Sequence, residues 1–354
     1  MSHSAIRVAL LGYGYAGKTF HAPLIKAVPG MELALVCSSD QGKVHADLPE
    51  VTVDGDAEQA ATHPEIDLVV IATPNETHAP LAEAALQAGK HVVVDKPFTL
   101  TVEEAQQLAA LAQQKGQLLS VFHNRRWDSD FLAAKAVKES GALGEIVYWE
   151  SCMDRFRPQV RDRWRERPGP GAGLWYDLGP HLVDQSVQLF GMPQSVSASF
   201  AKQRAGSQTE DWVHVLLHYG QAEVVLHASL LAAGQTPRFV MHGTEASWIK
   251  YGTDVQEAQL KQGVRTGSKA WGQDPEPGML YRVDGTLVRL SVPLGNYTEY
   301  YKGIRNAIQD NQPNPVTPRE AVAVMRILET ARQSASGGCA LPLAASSQEP
   351  SAWE

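Results

Sequence analysis

Ile6-Arg7-Val8-Ala9-Leu10-Leu11-Gly12-Tyr13-Gly14-Tyr15-Ala16-Gly17 is the stretch that decides the fold. The apolar run Ile6 to Leu11 reads as a buried strand, and it passes directly into a G-x-G-x-x-G pattern with a helix beginning at the last glycine. Gly12 permits the tight turn, Gly14 lets backbone approach a pyrophosphate, Gly17 allows close helix packing, and the helix N-terminus faces the phosphates. Tyr15 and Ala16 complete the loop. Glycines in this strand-turn-helix order, inside a βαβ unit, point to dinucleotide binding rather than to a structural turn.

Outward from that loop, short β-branched runs alternate with helical patterns, as in a doubly wound parallel sheet with crossover helices. The spacing predicts strands at Leu33 to Val36, Leu68 to Ala72, His91 to Val94 and Leu118 to Val121, and helices at Lys18 to Ala27, Ala79 to Ala88 and Glu103 to Lys115. Thr101 with Glu104 forms a capping-box pattern, and Gly89 and Gly116 are stop signals. Beyond a helix at Asp128 to Ser140 the pattern turns β-rich, with runs at Ile146 to Met153, Val196 to Phe200, His214 to Tyr219, Glu223 to Ala228 and Arg238 to His242. These follow one another largely without helical patterns between them, so an α+β domain with a large, mostly antiparallel sheet is expected. A helix at His181 to Phe190 interrupts the series, Gly263 to Gly285 reads as a long loop, and helices at Tyr297 to Asp310 and Arg319 to Arg332 follow. The division expected is residues 1–123 for dinucleotide binding and 124–345 for substrate binding and oligomerisation, with the C-terminal helix packing back on the first domain. The last dozen residues read as a frayed tail.

At 354 residues the chain has the length of about two domains and can bury a core without staples. Its 39 acidic against 31 basic residues, a net charge of -8, argue against a general nucleic-acid or anionic-membrane binder and favour small soluble ligands. Three cysteines, Cys37, Cys152 and Cys339, lack metal-type spacing and suit a reducing compartment. No apolar run approaches the ~18 residues of a membrane span, and Ile6 to Leu11 is too short for a signal segment, so the expected location is the cytoplasm.

Open α/β sheets place ligands at the carboxyl ends of their strands, and chemistry-bearing residues cluster at those positions. After the second strand come Ser38, Ser39 and Asp40, with Lys43 close behind. Two hydroxyls and a cation where an acid would hold a ribose 2′-hydroxyl favour NADP; Asp40 in the acid's place would favour NAD, and a polar turn without selectivity is the third reading. Thr73-Pro74-Asn75 and His78 follow Leu68 to Ala72, and Asp95-Lys96-Pro97 follows His91 to Val94. Lys96 is either a surface cation or a group aimed at a ligand by its place beside a proline. Further along, Asp177-x-Gly179-Pro180-His181 opens the expected helix, with Pro180 in its first turn. His181 would then lie at the positive end of the helix dipole, where a neutral imidazole is a usable base near pH 7; a structural hydrogen bond is the alternative. Asp177, four residues earlier, can meet the imidazole or a substrate.

Taken together, these motifs resemble the glucose-fructose oxidoreductase, inositol dehydrogenase and MocA-like family along essentially the whole chain. Asp95 stands where the family's Glu-Lys-Pro has glutamate, a shorter side chain that bears on how Lys96 is held. Gly17-Lys-Thr-Phe-His-Ala-Pro23 and His123-Asn-Arg-Arg-Trp-Asp128 resemble the branch of bacterial scyllo-inositol dehydrogenase-like oxidoreductases, several of which use NADP. The resemblance implies Lys96, Asp177 and His181 as the catalytic group, Asn75, His78 and Asn124 lining the cofactor or substrate cleft, and a Lys96-Pro97 bond that is often cis. Arg157, Arg163, Trp164 and Tyr176 are candidates for polyol contacts, or for subunit contacts. The reaction implied is reversible hydride transfer between a nicotinamide and a secondary alcohol of a cyclic polyol or sugar, in a homodimer or homotetramer formed through the open face of the second sheet. His181 would take the hydroxyl proton, Lys96 would stabilise charge on the same oxygen, and Asp177 would orient the carbinol. Rival readings are an NAD(P)-binding regulator without turnover, and a family member acting on an aromatic diol or a tetrapyrrole; the basic Arg155 to Arg167 loop suits a hydroxyl-rich substrate better.

Overall fold

The computed structural model describes residues 4–343; the sequence tail from 344 onward lies outside them. The chain divides into two compact units, residues 1–127 with 255–272 and 296–322, and residues 128–254 with 273–295 and 323–354. Neither unit is continuous, unlike the expected stretches 1–123 and 124–345, because two later segments count with the first unit.

The first unit is built on a six-stranded parallel sheet in the order β3-β2-β1-β4-β5-β6. Its strands are β1 (Ile6–Leu11), β2 (Met31–Cys37), β3 (Thr52–Asp54), β4 (Leu68–Ile71), β5 (His91–Val94) and β6 (Leu119–Val121). Val8, Leu10, Leu68, Val70, Val92 and Val94 are wholly buried, the continuous apolar character of strands covered on both faces. The helices of this layer are α1 (Ala22–Lys26), α2 (Gln41–Asp47), α3 (Ala57–Thr62), α4 (His78–Gln87) and α5 (Val102–Lys115). Thr101 and Glu104 form the expected capping box on α5, and Gly116 closes it in the left-handed region at φ 65°. Two differences from the sequence reading stand out. Thr52–Asp54, flanked by short helices, adds a strand that its length concealed. The helix expected from Lys18 begins as a π-helical turn, Gly17–His21, before α1.

The second unit carries α6 (Ser129–Glu139), α7 (Leu174–Phe190) and a nine-stranded sheet in the order β14-β13-β12-β11-β7-β10-β9-β8-β15. Those strands are β7 (Ile146–Cys152), β8 (Ser195–Ala201), β9 (Trp212–His218), β10 (Glu223–Ser229), β11 (Phe239–Gly243), β12 (Ala246–Lys250), β13 (Gly278–Arg282), β14 (Leu287–Leu290) and β15 (Leu341–Pro342). The β7–β10 pair is parallel and the remaining pairs are antiparallel. Trp149, Val213, Val215, Val224, Leu226, Met241 and Trp248 are buried on one face, against which α7 lies at β9 and β10. On the alternate positions Tyr148, His218, His227 and His242 are half-buried and His214 is exposed. The chain closes with α8 (Gln256–Lys261), α9 (Thr298–Asp310) and α10 (Pro318–Gly337). The long loop expected over 263–285 is interrupted at Gly278 by β13, an edge-side strand whose apolar alternation is short. Among the described residues no helix is long and apolar enough to cross a membrane.

The helix expected from His181 starts seven residues earlier, at Leu174, and Pro180 lies inside it rather than in its first turn. Gly173 is the cap: at φ 96° it turns the chain so that Leu174 N–H donates to Glu210 O at 3.0 Å and Trp175 N–H to Glu210 Oε1 at 3.4 Å. Pro180 contributes no N–H to the ladder and is tolerated at that cost. Gly179 is required by packing, because a Cβ there would stand 2.7 Å from the Trp175 ring and 2.9 Å from Leu328 Cδ2. Trp175 cannot retreat freely, since its indole N–H donates to Leu328 O at 3.0 Å. Alanine for glycine in a helix ordinarily gains about 1 kcal/mol, whereas overpacking costs about 1–3 kcal/mol. Gly179→Ala is therefore expected to lower unfolding free energy by up to about 2 kcal/mol in urea titrations, and a gain in stability would contradict this packing account.

Candidate active site

All the strand-end motifs of the first unit meet at one edge of its sheet, because β1, β2, β4, β5 and β6 run parallel and end at Leu11, Cys37, Ile71, Val94 and Val121. In the order 3-2-1-4-5-6 the switch point lies between β1 and β4, where such sheets open a crevice. The three glycines of the loop differ in what surrounds them. A Cβ on Gly12, which has φ 95°, would lie 2.6 Å from Ala72 O, and one on Gly17 would collide with Gly12 O. A Cβ on Gly14 would meet nothing within 4 Å. Gly12 and Gly17 are thus demanded by the fold, while the space over Gly14 is open, as a cradle for a pyrophosphate requires.

Behind the loop, Tyr15 hydroxyl donates to Glu257 Oε1 at 2.5 Å, Arg125 pairs with Glu257 Oε2 at 3.2 Å, and Lys261 with Oε1 at 2.9 Å. Burial alone would raise the Glu257 carboxyl, but Arg125, Tyr15 and Lys261 hold it down at about 2. Ala16 continues into the π-helical turn with helical dihedrals. At the end of β2, Ser38 N–H donates to Asp54 O at 2.9 Å, and Asp40 caps α2, its Oδ1 accepting Lys43 N–H at 2.9 Å. Ser39 and Lys43 are exposed and Ser38 is half-exposed.

His78 is buried and bridges two strand-end loops, with Nδ1 2.8 Å from Pro97 O and Nε2 3.1 Å from Thr73 O. Burial pushes its pKa down, against the pull of Asp95 and these carbonyls. Thr77 hydroxyl donates to Pro74 O at 2.7 Å, which tightens the turn carrying the buried Asn75. The Lys96-Pro97 bond is cis. Asp95 Oδ1 accepts the Lys96 backbone N–H at 2.8 Å and lies 3.9 Å from His21 Nε2, beyond hydrogen-bond reach. Burial would raise the Asp95 carboxyl, but His21, Lys96 and His78 outweigh it and hold the group at about 2. Asn124, also buried, opens a short 3-10 turn after β6.

In the second unit Asp177 and His181 lie one turn apart on α7, so they share a helix face. Asp177, not His181, belongs to the first turn; the dipole argument made for His181 does not apply to its position two turns in. Tyr176 is buried, with the Arg332 guanidinium 5.1 Å from its ring. Arg163 is engaged by Glu166 at 2.7 Å, and Trp164 is stacked by Arg165 at 4.3 Å. Arg165 Nε is also 3.6 Å from Asp177 Oδ1, which makes it the arginine of this loop placed at the candidate catalytic carboxylate. Burial, then Arg155, Arg161 and Arg163, pull the Arg157 pKa below its ordinary range, with Asp177 offsetting them. The loop is anchored by the buried Arg204, which donates to Asp211 Oδ2 at 2.9 Å, Glu166 Oε2 at 3.0 Å, and the carbonyls of Arg157 and Gln159 at 3.2 Å each.

Sequence reasoning missed His21, Arg165, Arg204 and Glu257. Each acts through contacts distant in sequence, and for His21 the signal was its place in Gly17-Lys-Thr-Phe-His-Ala-Pro23.

The strand order 3-2-1-4-5-6 with a glycine loop after its first strand is the Rossmann arrangement of dinucleotide-binding sheets. The chain belongs to the glucose-fructose oxidoreductase, inositol dehydrogenase and MocA oxidoreductase family, matching its NAD-binding Rossmann fold over residues 6–123 and its C-terminal alpha/beta domain over residues 135–343. It is 53% identical over 345 residues to the uncharacterized oxidoreductase YdgJ of Escherichia coli, covering 96% of this chain and 99% of that one. It is 39% identical over 334 residues to the scyllo-inositol 2-dehydrogenase (NADP(+)) IolW of Bacillus subtilis, covering 93% of each. The solved structure of YPO2259 from Yersinia pestis superposes with a TM-score of 0.92 at 51% identity, over 97% of this chain and 98% of that one.

Asp95 and Glu257, held at about 2, lie below the ordinary carboxyl values near 4 of an unfolded chain. Their stabilisation is fully present above about pH 4 and is lost as pH falls toward 2. Asp95→Asn is expected to flatten the acid limb of stability between about pH 4 and 2, measured by urea unfolding at stepped pH; an unchanged slope would contradict the lowering of the Asp95 carboxyl.

Proposed function

We propose that this oxidoreductase catalyses reversible hydride transfer between NADP and a secondary alcohol of a cyclic polyol or sugar of the scyllo-inositol kind. The observation that carries the reading is the convergence of an open Gly14 cradle and the Asp95-Lys96 turn on the same sheet edge. Nicotinamide, when bound, supplies the hydride-accepting carbon. Gly12, Gly14, Tyr15, Ala16 and Gly17 would hold the pyrophosphate with backbone N–H groups, and Thr73, Pro74, Asn75 and Asn124 would line the same edge. His78 ties the Thr73 and Pro97 loops together from beneath.

Lys96 stabilises negative charge developing on the reacting oxygen, His181 takes the hydroxyl proton, and Asp177, beside Arg165, orients the carbinol. Arg163, Trp164 and Tyr176 belong to the segment that would present polar edges and rings to a hydroxyl-rich ring. NADP is preferred because the carboxylate of Asp40 is engaged as the cap of α2, while the exposed Ser39 and Lys43, beside Ser38, are placed to meet a 2′-phosphate. The relative named as an NADP(+)-dependent scyllo-inositol dehydrogenase supports both halves of the reading. A second copy of the chain is the partner we assign to the open face of the second sheet, and the cytoplasm, on cysteine usage, is the location.

Initial rates of nicotinamide reduction with scyllo-inositol, myo-inositol, glucose and other sugars, with NADP and NAD in parallel, test the reading. Turnover of a polyol with NADP preferred is expected, and Lys96→Ala and His181→Ala should each lower kcat about 10²–10⁴-fold with the fold intact. Near-wild-type turnover in both variants would remove the mechanism, and tight cofactor binding without turnover of any alcohol or matching ketone would remove the polyol assignment.

A further inference from the structure

Two features of the first unit that the chemistry above leaves unused meet beside Asp95. The segment Gly17–His21 is a π-helical turn, a rare geometry that recurs at functional sites. It presents His21, which is wholly buried: Nδ1 is 2.6 Å from the Tyr301 hydroxyl on α9, Nε2 is 3.9 Å from Asp95 Oδ1, and the ring packs on Phe122 with centroids 4.4 Å apart. An apolar side chain would fill that space without the cost of desolvating an imidazole.

The hydrogen-bond roles follow from burial. Tyr301 is pushed well above its ordinary range by burial, so its hydroxyl keeps its proton and donates it. Nδ1 of His21 is the acceptor at 2.6 Å, which places the ring hydrogen on Nε2, facing Asp95; the tautomer is assigned from this network. The same Asp95 oxygen accepts the Lys96 backbone N–H at 2.8 Å. The groups acting on Asp95 are His21, Lys96 and His78, and the buried phenols of Tyr300 and Tyr301 feel its charge.

We propose that His21 is a positioning residue of the Lys96 turn: with its tautomer fixed by Tyr301, it faces the Asp95 oxygen that holds the Lys96 N–H, and so sets the turn that carries the Lys96 side chain. The proposal rests on the reading of Lys96 as the group at the reacting oxygen. It deepens that reading by tracing the lysine's setting back through Asp95 to α9.

Lys96 itself reports the effect without any substrate, through peptide-resolved acetylation of its amine against pH in the full chain, read by mass spectrometry. Without His21, the Asp95 charge is shared among fewer neighbours and holds the Lys96 ammonium more tightly. In His21→Phe the acetylation midpoint is expected to rise by about 0.5 pH unit or more. Tyr301→Phe, which keeps the ring and loses one oxygen, should move it the same way by less. His21→Gln, which keeps a side-chain N–H donor, should return it toward wild type. Far-ultraviolet circular dichroism checks folding, and Tyr301→Phe decides the matter if His21→Phe does not fold. A midpoint unmoved in the folded variants overturns the proposal. Failure of the polyol assay alone counts against the function reading, because the labelling needs no turnover.

Discussion

The close approach of Gly12 to the Ala72 carbonyl is the constraint on which the first unit turns. The chain leaving β1 passes the chain leaving β4 with no room for a side chain, and Gly17 in turn packs on the carbonyl of Gly12. Three backbone segments are thereby locked at the switch point, where the sheet opens toward a ligand. Gly14, between the two packed glycines, is left uncovered. A loop that is rigid on both sides and open in the middle is what binding a pyrophosphate by its backbone requires, since the N–H groups are ordered before the ligand arrives.

Polar groups near this edge are buried in linked sets rather than singly. His78 lies between the Thr73 and Pro97 carbonyls, and Asp95 accepts the Lys96 N–H with His21 Nε2 3.9 Å from the same oxygen, so two buried imidazoles flank the turn carrying Lys96. The second unit uses the same device on its basic loop. Arg204 sits buried between Asp211 and Glu166 and also ties down two loop carbonyls, so removing it would strand buried carboxylates at a cost of about 3–5 kcal/mol. Catalytic geometry depends on such supporting shells, because a side chain aimed from an unsupported loop would wander by more than the chemistry tolerates.

The strands β1, β4, β5 and β6 were legible because they are short, largely apolar and β-branched runs bounded by glycine, proline or polar turns, and α5 because Thr101, Glu104 and Gly116 mark both ends. The start of α7 was not, because its determinant is Glu210, thirty-five residues from Trp175, whose carbonyl and carboxylate receive the first helical N–H groups. Local reading gave Pro180 the role of a helix start, and a tertiary contact overruled it. The strand-end residues proposed for the site follow from the rule that ligands gather at carboxyl ends, and the parallel sheet brings them to one edge. Their supports do not follow from it, since His21, Arg204 and Glu257 act on partners that only the folded chain brings near.

The central claim is that the open space over Gly14 belongs to a dinucleotide. Calorimetric titration of NADP into wild-type protein and into Gly14→Ala tests it most directly, because an added Cβ there meets no atom within 4 Å. The account predicts an unchanged melting temperature with affinity lowered about tenfold or more. Equal affinity in the two proteins would contradict it.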